Sequence, residues 1–256
     1  MKIHFNVICI GAGGTGGNFL KEFGRFLSFF HEESKKITLS IVDGDRVEKR
    51  NCTRQPFLEE DMNEFKSVTM ASAIIENFNL SETMVHAYTN YIDTIEDLKE
   101  IVYQTSMSYG KNIIMLIGAV DNHRARQVMH DYFYKCNDII FIDTANEYHV
   151  GEVVTAIRIG GKNIAPPRAY YYPEILKDKG KSAKELSCGE INLVEPQHIT
   201  TNLMAANTCL SIVINSIGGH TTGGITYFDS FKLYSRFVPF QGKCPSLKRR
   251  RNRKRG

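Results

Sequence analysis

No pair of cysteines in this chain is spaced C-x-x-C, although cysteine occurs at positions 9, 52, 136, 188, 209 and 244. That absence removes the zinc knuckle and the dithiol redox motif. Among the histidines there is no H-x-x-x-H pair either, so no zinc is expected, and His123 and His130 read as ordinary helix-surface residues. Long apolar runs are also missing. The longest, "IIMLIGAV" at Ile113–Val120, falls far short of the roughly 20 residues that cross a bilayer. The opening "MKIHFNVICIG" lacks the apolar core and small-residue cleavage site of a signal peptide, so a cytoplasmic protein with free thiols is expected. Seven prolines scattered along 256 residues make no low-complexity linker, and no repeat recurs at a fixed period.

What remains is ordinary for a globular protein: 42% hydrophobic and 23% charged residues, in a chain long enough for one large α/β domain with a small appendage. The net charge of +4 misleads, because the ending "SLKRRRNRKRG" holds seven cations. Without those seven the rest of the chain carries −3. The basicity belongs to a tail. Such a tail attracts nucleic acid or an acidic partner, but no aromatic residue interleaves to stack on bases. Any nucleic-acid contact would run through this tail, and a solubilising terminus is the favoured reading.

Along the chain, "HFNVICIG" reads as a buried strand and Gly14 to His31 as an amphipathic helix with Phe19, Leu20, Phe23, Phe26, Leu27 and Phe30 on one face. "KITLSIVDGD" is a second strand. A β-α-β unit of this kind implies parallel strands and a right-handed crossover. Helix around Phe65 to Asn77, strand at "TMVHAYT", helix at "TIEDLKEIVYQTS", strand at "KNIIMLIGAV", helix at "DNHRARQVMHDYFYK" and strands at "DIIFIDTANE" and "VGEVVTAIRIG" continue the alternation. The fold class is therefore α/β: a doubly wound, mostly parallel Rossmann-like sheet with helices on both faces. After Gly160 the pattern loosens, and "GKNIAPPRAYYYPEILKDKGKSAKELSCGE" reads as one long loop of the kind that is usually functional. Helix returns at Thr201 to Ile217, and "GGITYFDSFKLYSRFVPF" gives two antiparallel strands, a C-terminal extension. The expected organisation is a nucleotide-binding region at 1–160, loop, helix and strands of the same domain at 161–245, and a disordered basic tail at 246–256.

The turn "IGAGGTGGNF" carries G-x-G-x-x-G at Gly11, Gly13 and Gly16, after a strand and before a helix. In that context a helix N-terminus offers free N–H groups and partial positive charge to a phosphate. Glycines there equally permit tight strand-to-helix packing. The residues beyond the second strand separate dinucleotide from triphosphate. A nicotinamide site wants one acid for the ribose, whereas "DGDRVEKRNCTRQ" from Asp43 adds several cations and amides. That surplus suits a triphosphate whose charge must be neutralised during reaction.

Four ordered segments, "GAGGTGG", "DGDRVEKRNCTRQPF", Lys66 and "GAVDNHRAR", together resemble the ThiF/MoeB/HesA family, the nucleotide-binding fold of ubiquitin-activating-type enzymes. "LSCGEINLVEPQHITTNLMAAN" is more loosely similar to the family's later cysteine segment. The resemblance implies ATP- and Mg²⁺-dependent adenylation of the C-terminal glycine of a small ubiquitin-like or sulfur-carrier protein, with release of pyrophosphate, and commonly a homodimer. It implies that Gly11, Gly13, Gly14 and Gly16 line the nucleotide and that Asp43, followed by Asp45, takes the ribose hydroxyls. It further implies that Asn51, Arg54 and Lys66 contact phosphate, that Gln55 supports Arg54, and that Asp121 holds Mg²⁺. Cys188 stands where a family cysteine accepts the acyl group or joins sulfur transfer.

Each residue has a plainer reading: Asp43 and Asp45 as turn residues, Arg54 and Lys66 as solvated cations, Asp121 as a helix N-cap, Cys188 as a structural thiol. Two features depart from many relatives. The zinc ligands are absent, as in short members from plasmid- and phage-borne systems. The first strand also starts within five residues of Met1, so an arginine that many members carry ahead of it would come from Arg25, Arg46, Arg50 or a separate protein. Two other functions share the motifs: an ATP-binding scaffold or sensor that completes no transfer, and a nicotinamide-dependent oxidoreductase.

Overall fold

Strand-forming runs rich in Ile, Val and Phe alternate with helices whose apolar residues fall on one face, and each run is too apolar to stay in water unpaired. The computed structural model describes residues 1–180 and 197–244. Its sheet has nine strands: β1 (Ile3–Ile10), β2 (Lys35–Val42), β3 (Val85–Tyr88), β4 (Lys111–Gly118), β5 (Ile139–Asn146), β6 (Val150–Ile159), β7 (Lys162–Ala165), β8 (Gly224–Asp229) and β9 (Tyr234–Pro239). They run in the order β3-β2-β1-β4-β5-β6-β8-β9, with β7 paired to β6. The pairings from β3 to β5 are parallel and the rest antiparallel. Both the doubly wound core and its antiparallel extension are thus as the alternation implies.

Side chains of each strand point alternately to the two faces. Phe5, Val7 and Cys9 of β1 join Leu39, Ile41, Met115 and Ile117 in one apolar layer under helices α1 (Gly14–Phe29), α2 (Lys66–Phe78) and α5 (Ile199–Ile217). Ile8 and Ile10 join Val42, Leu116 and Phe141 under α3 (Ile95–Thr105) and α4 (His123–Phe133). Polar His4 of β1 is fully buried; its ring bonds Thr38 on one side and Asn112 Oδ1 at 2.7 Å on the other.

Two expectations need correction. The stretch after Gly160 is not one loop: β7 pairs with β6 through the turn at Gly160 and Gly161, and 3₁₀ turns follow at Arg168–Tyr170 and Pro173–Lys177. His130 is half-buried and not an ordinary surface residue. Its buried Nδ1 has no partner among the described residues, its ring sits edge-on to Tyr134, and burial lowers its imidazole below the usual 6.5. Among the described residues no helix is long and apolar enough to cross a membrane. The tail from 245 onward and Cys188 lie outside the described residues.

Candidate functional site

Strand order reverses direction between β1 and β4, and the crevice beyond the carboxyl ends at such a point is where open α/β sheets bind ligands. The glycine turn leaves β1 there, Asp43 follows β2, and Asp121 follows β4. The turn is held by neighbours on both sides. Gly11 sits at φ 93°, its N–H donates to Val42 O at 2.8 Å, and a Cβ on it would lie 2.4 Å from Ala119 O. A Cβ on Gly16 would lie 1.9 Å from Gly11 O, and one on Gly14 would lie 2.4 Å from Asn202 Nδ2. At Gly11 and Gly16, where the obstacle is backbone, close packing by itself demands glycine; at Gly14 the obstacle is the end of the Asn202 side chain. Gly13 is different: the nearest atom to a Cβ there is Gln55 Nε2 at 3.7 Å. Gly13 is also the N-cap of α1; among the described residues no side chain caps this helix, and its first turn holds no acid. Its leading N–H groups and positive dipole end therefore lack the usual side-chain acceptor.

Asp43 ties the turn to β2. Its Oδ2 accepts from Ala12 N–H at 2.7 Å and its Oδ1 from Asp45 N–H at 2.9 Å. An ionised carboxylate has about four acceptor positions, so capacity for further donors remains. Burial pushes the Asp43 carboxyl above its ordinary value, against the pull of Lys66. Asp45 is the reverse case. Burial opposes its ionisation, but Lys66, the Tyr91 hydroxyl and Arg50 outweigh it and hold the carboxyl below its ordinary value. Lys66 opens α2 and is 7% exposed; its Nζ lies 2.9 Å from Asp45 Oδ2, while Tyr91 OH donates to Asp45 Oδ1 at 2.5 Å. Lys66 is thus no solvated surface cation.

Asn51 is buried and shapes the next turn. Its Oδ1 accepts from Glu48 N–H at 2.8 Å, and its carbonyl accepts from the N–H groups of Arg54 and Gln55. The half-buried Arg54 guanidinium makes no hydrogen bond or ion pair among the described residues. Gln55 lies against Gly13 with its Oε1 buried and without a partner among the described residues. No bond joins it to Arg54 among the described residues, so the expected support of Arg54 is not what the side chain does here. Asp121 is not the N-cap of α4. Asn122 holds that place, its Oδ1 accepting from Ala125 N–H at 2.8 Å, which leaves the Asp121 carboxylate exposed. Three other arginines near the N-terminal half of the sheet are engaged locally: Arg25 with Glu22, Arg46 on Asn63 O and over the Phe65 ring, and Arg50 with Glu48.

Sequence reasoning missed several contributors. Tyr91 carries no local signal; only the return of β3 beside β2 brings it to Asp45. Beside the turn, Thr15 Oγ1 donates to Asn202 Oδ1 at 3.2 Å, and Asn146 Nδ2 donates to both at 2.8 and 3.1 Å. Asp143, an acid inside "IIFIDTAN", was the readable hint of a buried ion network: it lies 3.1 Å from Arg126 Nε and 3.0 Å from Arg168 Nε, all three side chains being less than 10% exposed. Removing one partner from such a network costs about 3–5 kcal/mol.

Charges of Asp43, Asp45, Lys66 and Arg54 cancel, so these side chains alone do not neutralise a polyphosphate. Among the described residues no cluster of three or more His, Cys, Asp or Glu is placed to hold a metal. Mg²⁺, however, commonly takes one or two carboxylates and completes its shell with phosphates and water. Exposed Asp121 fits that role.

The ThiF family model matches residues 3–250. No curated protein matches the chain. Among solved structures, E. coli MccB with MccA-N7isoASN superposes with a TM-score of 0.64 at 18% identity, covering 95% of this chain and 66% of that one. E. coli MccB with ATP gives 0.62 at 16% identity, with 94% and 64% covered. Selenomethionine PaaA gives 0.61 at 16%, with 91% and 63% covered. The likeness is one of fold, and the chain spans only 63–66% of the length of those structures.

Proposed function

The chain belongs to the ThiF family, and from that premise we propose that it activates the C-terminal carboxylate of a small protein or peptide by ATP-dependent adenylation. The observation that carries the reading is the joint at the switch point: the glycine turn, Asp43 and the Asp45–Lys66 pair are bonded into one surface. An NAD site needs only its ribose acid at this place and leaves Lys66 and Arg54 without a role. E. coli MccB, similar in fold, has been solved with ATP and with MccA. The substrate we favour is a ubiquitin-like or sulfur-carrier protein ending in glycine.

In this reading the N–H groups opening α1 receive phosphate oxygen, and Asp43 accepts from the ribose hydroxyls with the lone pairs that Ala12 and Asp45 leave free. The incoming carboxylate attacks the α-phosphorus, the α–β anhydride bond breaks, and pyrophosphate leaves with the electron pair. Bringing one anion onto a polyanion is the difficulty. Lys66 keeps two donors besides the one directed at Asp45, and the Arg54 guanidinium, without a partner among the described residues, adds a second cation. When bound at Asp121, Mg²⁺ would supply the remaining charge neutralisation. Cys188 would act afterwards as an acyl acceptor, which is separable by test.

ATP–pyrophosphate exchange with candidate carriers tests this. Exchange that requires a free C-terminal glycine is expected, and it should persist in Cys188→Ala if the cysteine acts after activation. ATP binding without exchange under any carrier would favour the scaffold, and retention of NAD in place of ATP would end the proposal.

A further inference from the structure

Asp143 and Arg168 have no part in the nucleotide chemistry, yet Asp143, within β5, lies in register with Gly118 at the end of β4, where the crevice opens. Asp143 is 2% exposed, and a lone carboxylate at that depth would be prohibitive. Two guanidiniums from distant parts of the chain answer it. Arg126, on α4, turns its Nη2 to Val120 O and Thr144 O, each at 2.6 Å. Arg168, in the 3₁₀ turn after β7, pairs through Nε with Asp143 Oδ2 at 3.0 Å, donates from Nη2 to the Asp143 backbone carbonyl at 2.8 Å and pairs through Nη1 with Glu152 of β6. Tyr172 OH donates to the other Glu152 oxygen at 2.6 Å. The two acids and two arginines balance in charge.

Val120 O is the carbonyl directly before Asp121. Arg126 therefore grips the peptide on one side of Asp121 while the Asn122 cap fixes the other. The guanidinium is planar with its donors in a rigid fork, so the Arg126 Nε contact with Asp143 sets where Nη2 points. Segment 166–178 is joined to the same helix by a second route: Gln127 Nε2 donates to Ile175 O and Asp178 O, both at 2.7 Å.

We propose that Asp143 is a positioning residue: by orienting Arg126 it fixes the peptide that presents Asp121, and by holding Arg168 it makes segment 166–178 part of the same unit. For the role of Asp121 this rests on the nucleotide reading; for the mechanical coupling it does not. The crevice then senses segment 166–178 without that segment touching the nucleotide.

Hydrogen exchange on the full chain without nucleotide tests the coupling. Asp143→Asn should accelerate exchange at the amides of Ala119 and Ala125 and of Tyr170–Tyr172 together, by about tenfold or more, with Ile8 and Leu116 within about twofold of wild type. Acceleration in only one of the two segments overturns the proposal. If Asp143→Asn does not fold, Arg126→Lys decides, because it keeps the charge and loses the fork. Ala119 and Ala125 must exchange faster in it, and unchanged exchange there is fatal to the idea. With ATP, calorimetric titration should show Asp143→Asn binding about tenfold more weakly. The Asp121→Asn/Asp143→Asn double variant should bind no more weakly than Asp121→Asn, whereas additive losses would overturn action through Asp121. A wild-type chain that ignores ATP would end the nucleotide reading alone and leave the exchange result standing.

Discussion

Gly13→Ala and Gly16→Ala, three positions apart in one turn, should fail in opposite ways. At Gly16 the new methyl carbon would stand 1.9 Å from Gly11 O and 2.9 Å from Gly11 C. The obstacle is backbone, pinned by a φ of 93° and by the bond from Gly11 N–H to Val42 O. It cannot swing aside as a side chain would. Overpacking usually costs about 1–3 kcal/mol, and a contact this short belongs at or beyond the upper end. That is a large share of the roughly 5–15 kcal/mol that holds a domain folded. At Gly13 the methyl meets nothing nearer than Gln55 Nε2 at 3.7 Å. The fold should lose no more than about 1 kcal/mol there, the difference between Gly and Ala at an N-cap. That methyl nevertheless stands at the mouth of α1, where a phosphate oxygen has to approach the helix N–H groups. ATP affinity should fall about 100-fold, equivalent to roughly 2.8 kcal/mol. Urea denaturation and calorimetric titration of both variants make the measurement. A Gly13→Ala protein that binds ATP like wild type would refute the phosphate assignment, and a Gly16→Ala protein of wild-type stability would refute the packing argument.

Lys66→Met should lower pyrophosphate exchange about 10²–10³-fold. In the apo protein it should also raise the Asp45 carboxyl, because burial then loses its main counterweight; an NMR titration in which Asp45 does not move would contradict this. Asn122→Ala should cost about 1 kcal/mol as a lost cap while ATP still binds. Asp121→Asn should leave stability within about 0.5 kcal/mol yet abolish exchange, and the opposite pattern would return Asp121 to a capping role. Burial lowers the imidazoles of His4, against the bond to Asn112, and of His130. Their neutral folded forms contribute stability that is whole above the ordinary 6.5 and is lost as pH falls through the lowered folded values. Urea midpoints should therefore decline in mildly acidic buffer, and less so in a His4 variant of matched polarity such as His4→Gln; an identical slope would discount the ring.

The alternation of strand and helix and the glycine turn were legible because each is written in a few neighbouring residues: period-two apolar runs, period-3.6 faces, and glycines between them. The switch point between β1 and β4 was not, because strand order is set by pairing across the chain. β7 and the two 3₁₀ turns escaped because they are short and lack a period. The packing demand at Gly11 and Gly16 was legible only as an alternative, since the opposing atoms, Ala119 O and Gly11 O, are brought there by β4 and by the turn's own closure. Asp121 and Asn122 show the limit of local rules. Either could cap α4 by type, and only the Asn122–Ala125 bond assigns the task.

From its residues alone the chain determined its layers, its order of elements and the glycine turn, because burial and backbone pairing act on patterns a few residues long. Which charges pair was left to the tertiary structure. Asp45 finds Lys66 across 21 positions and Asp143 finds Arg168 across 25, since ion pairs and hydrogen bonds need partners within about 3 Å that only the folded sheet brings together.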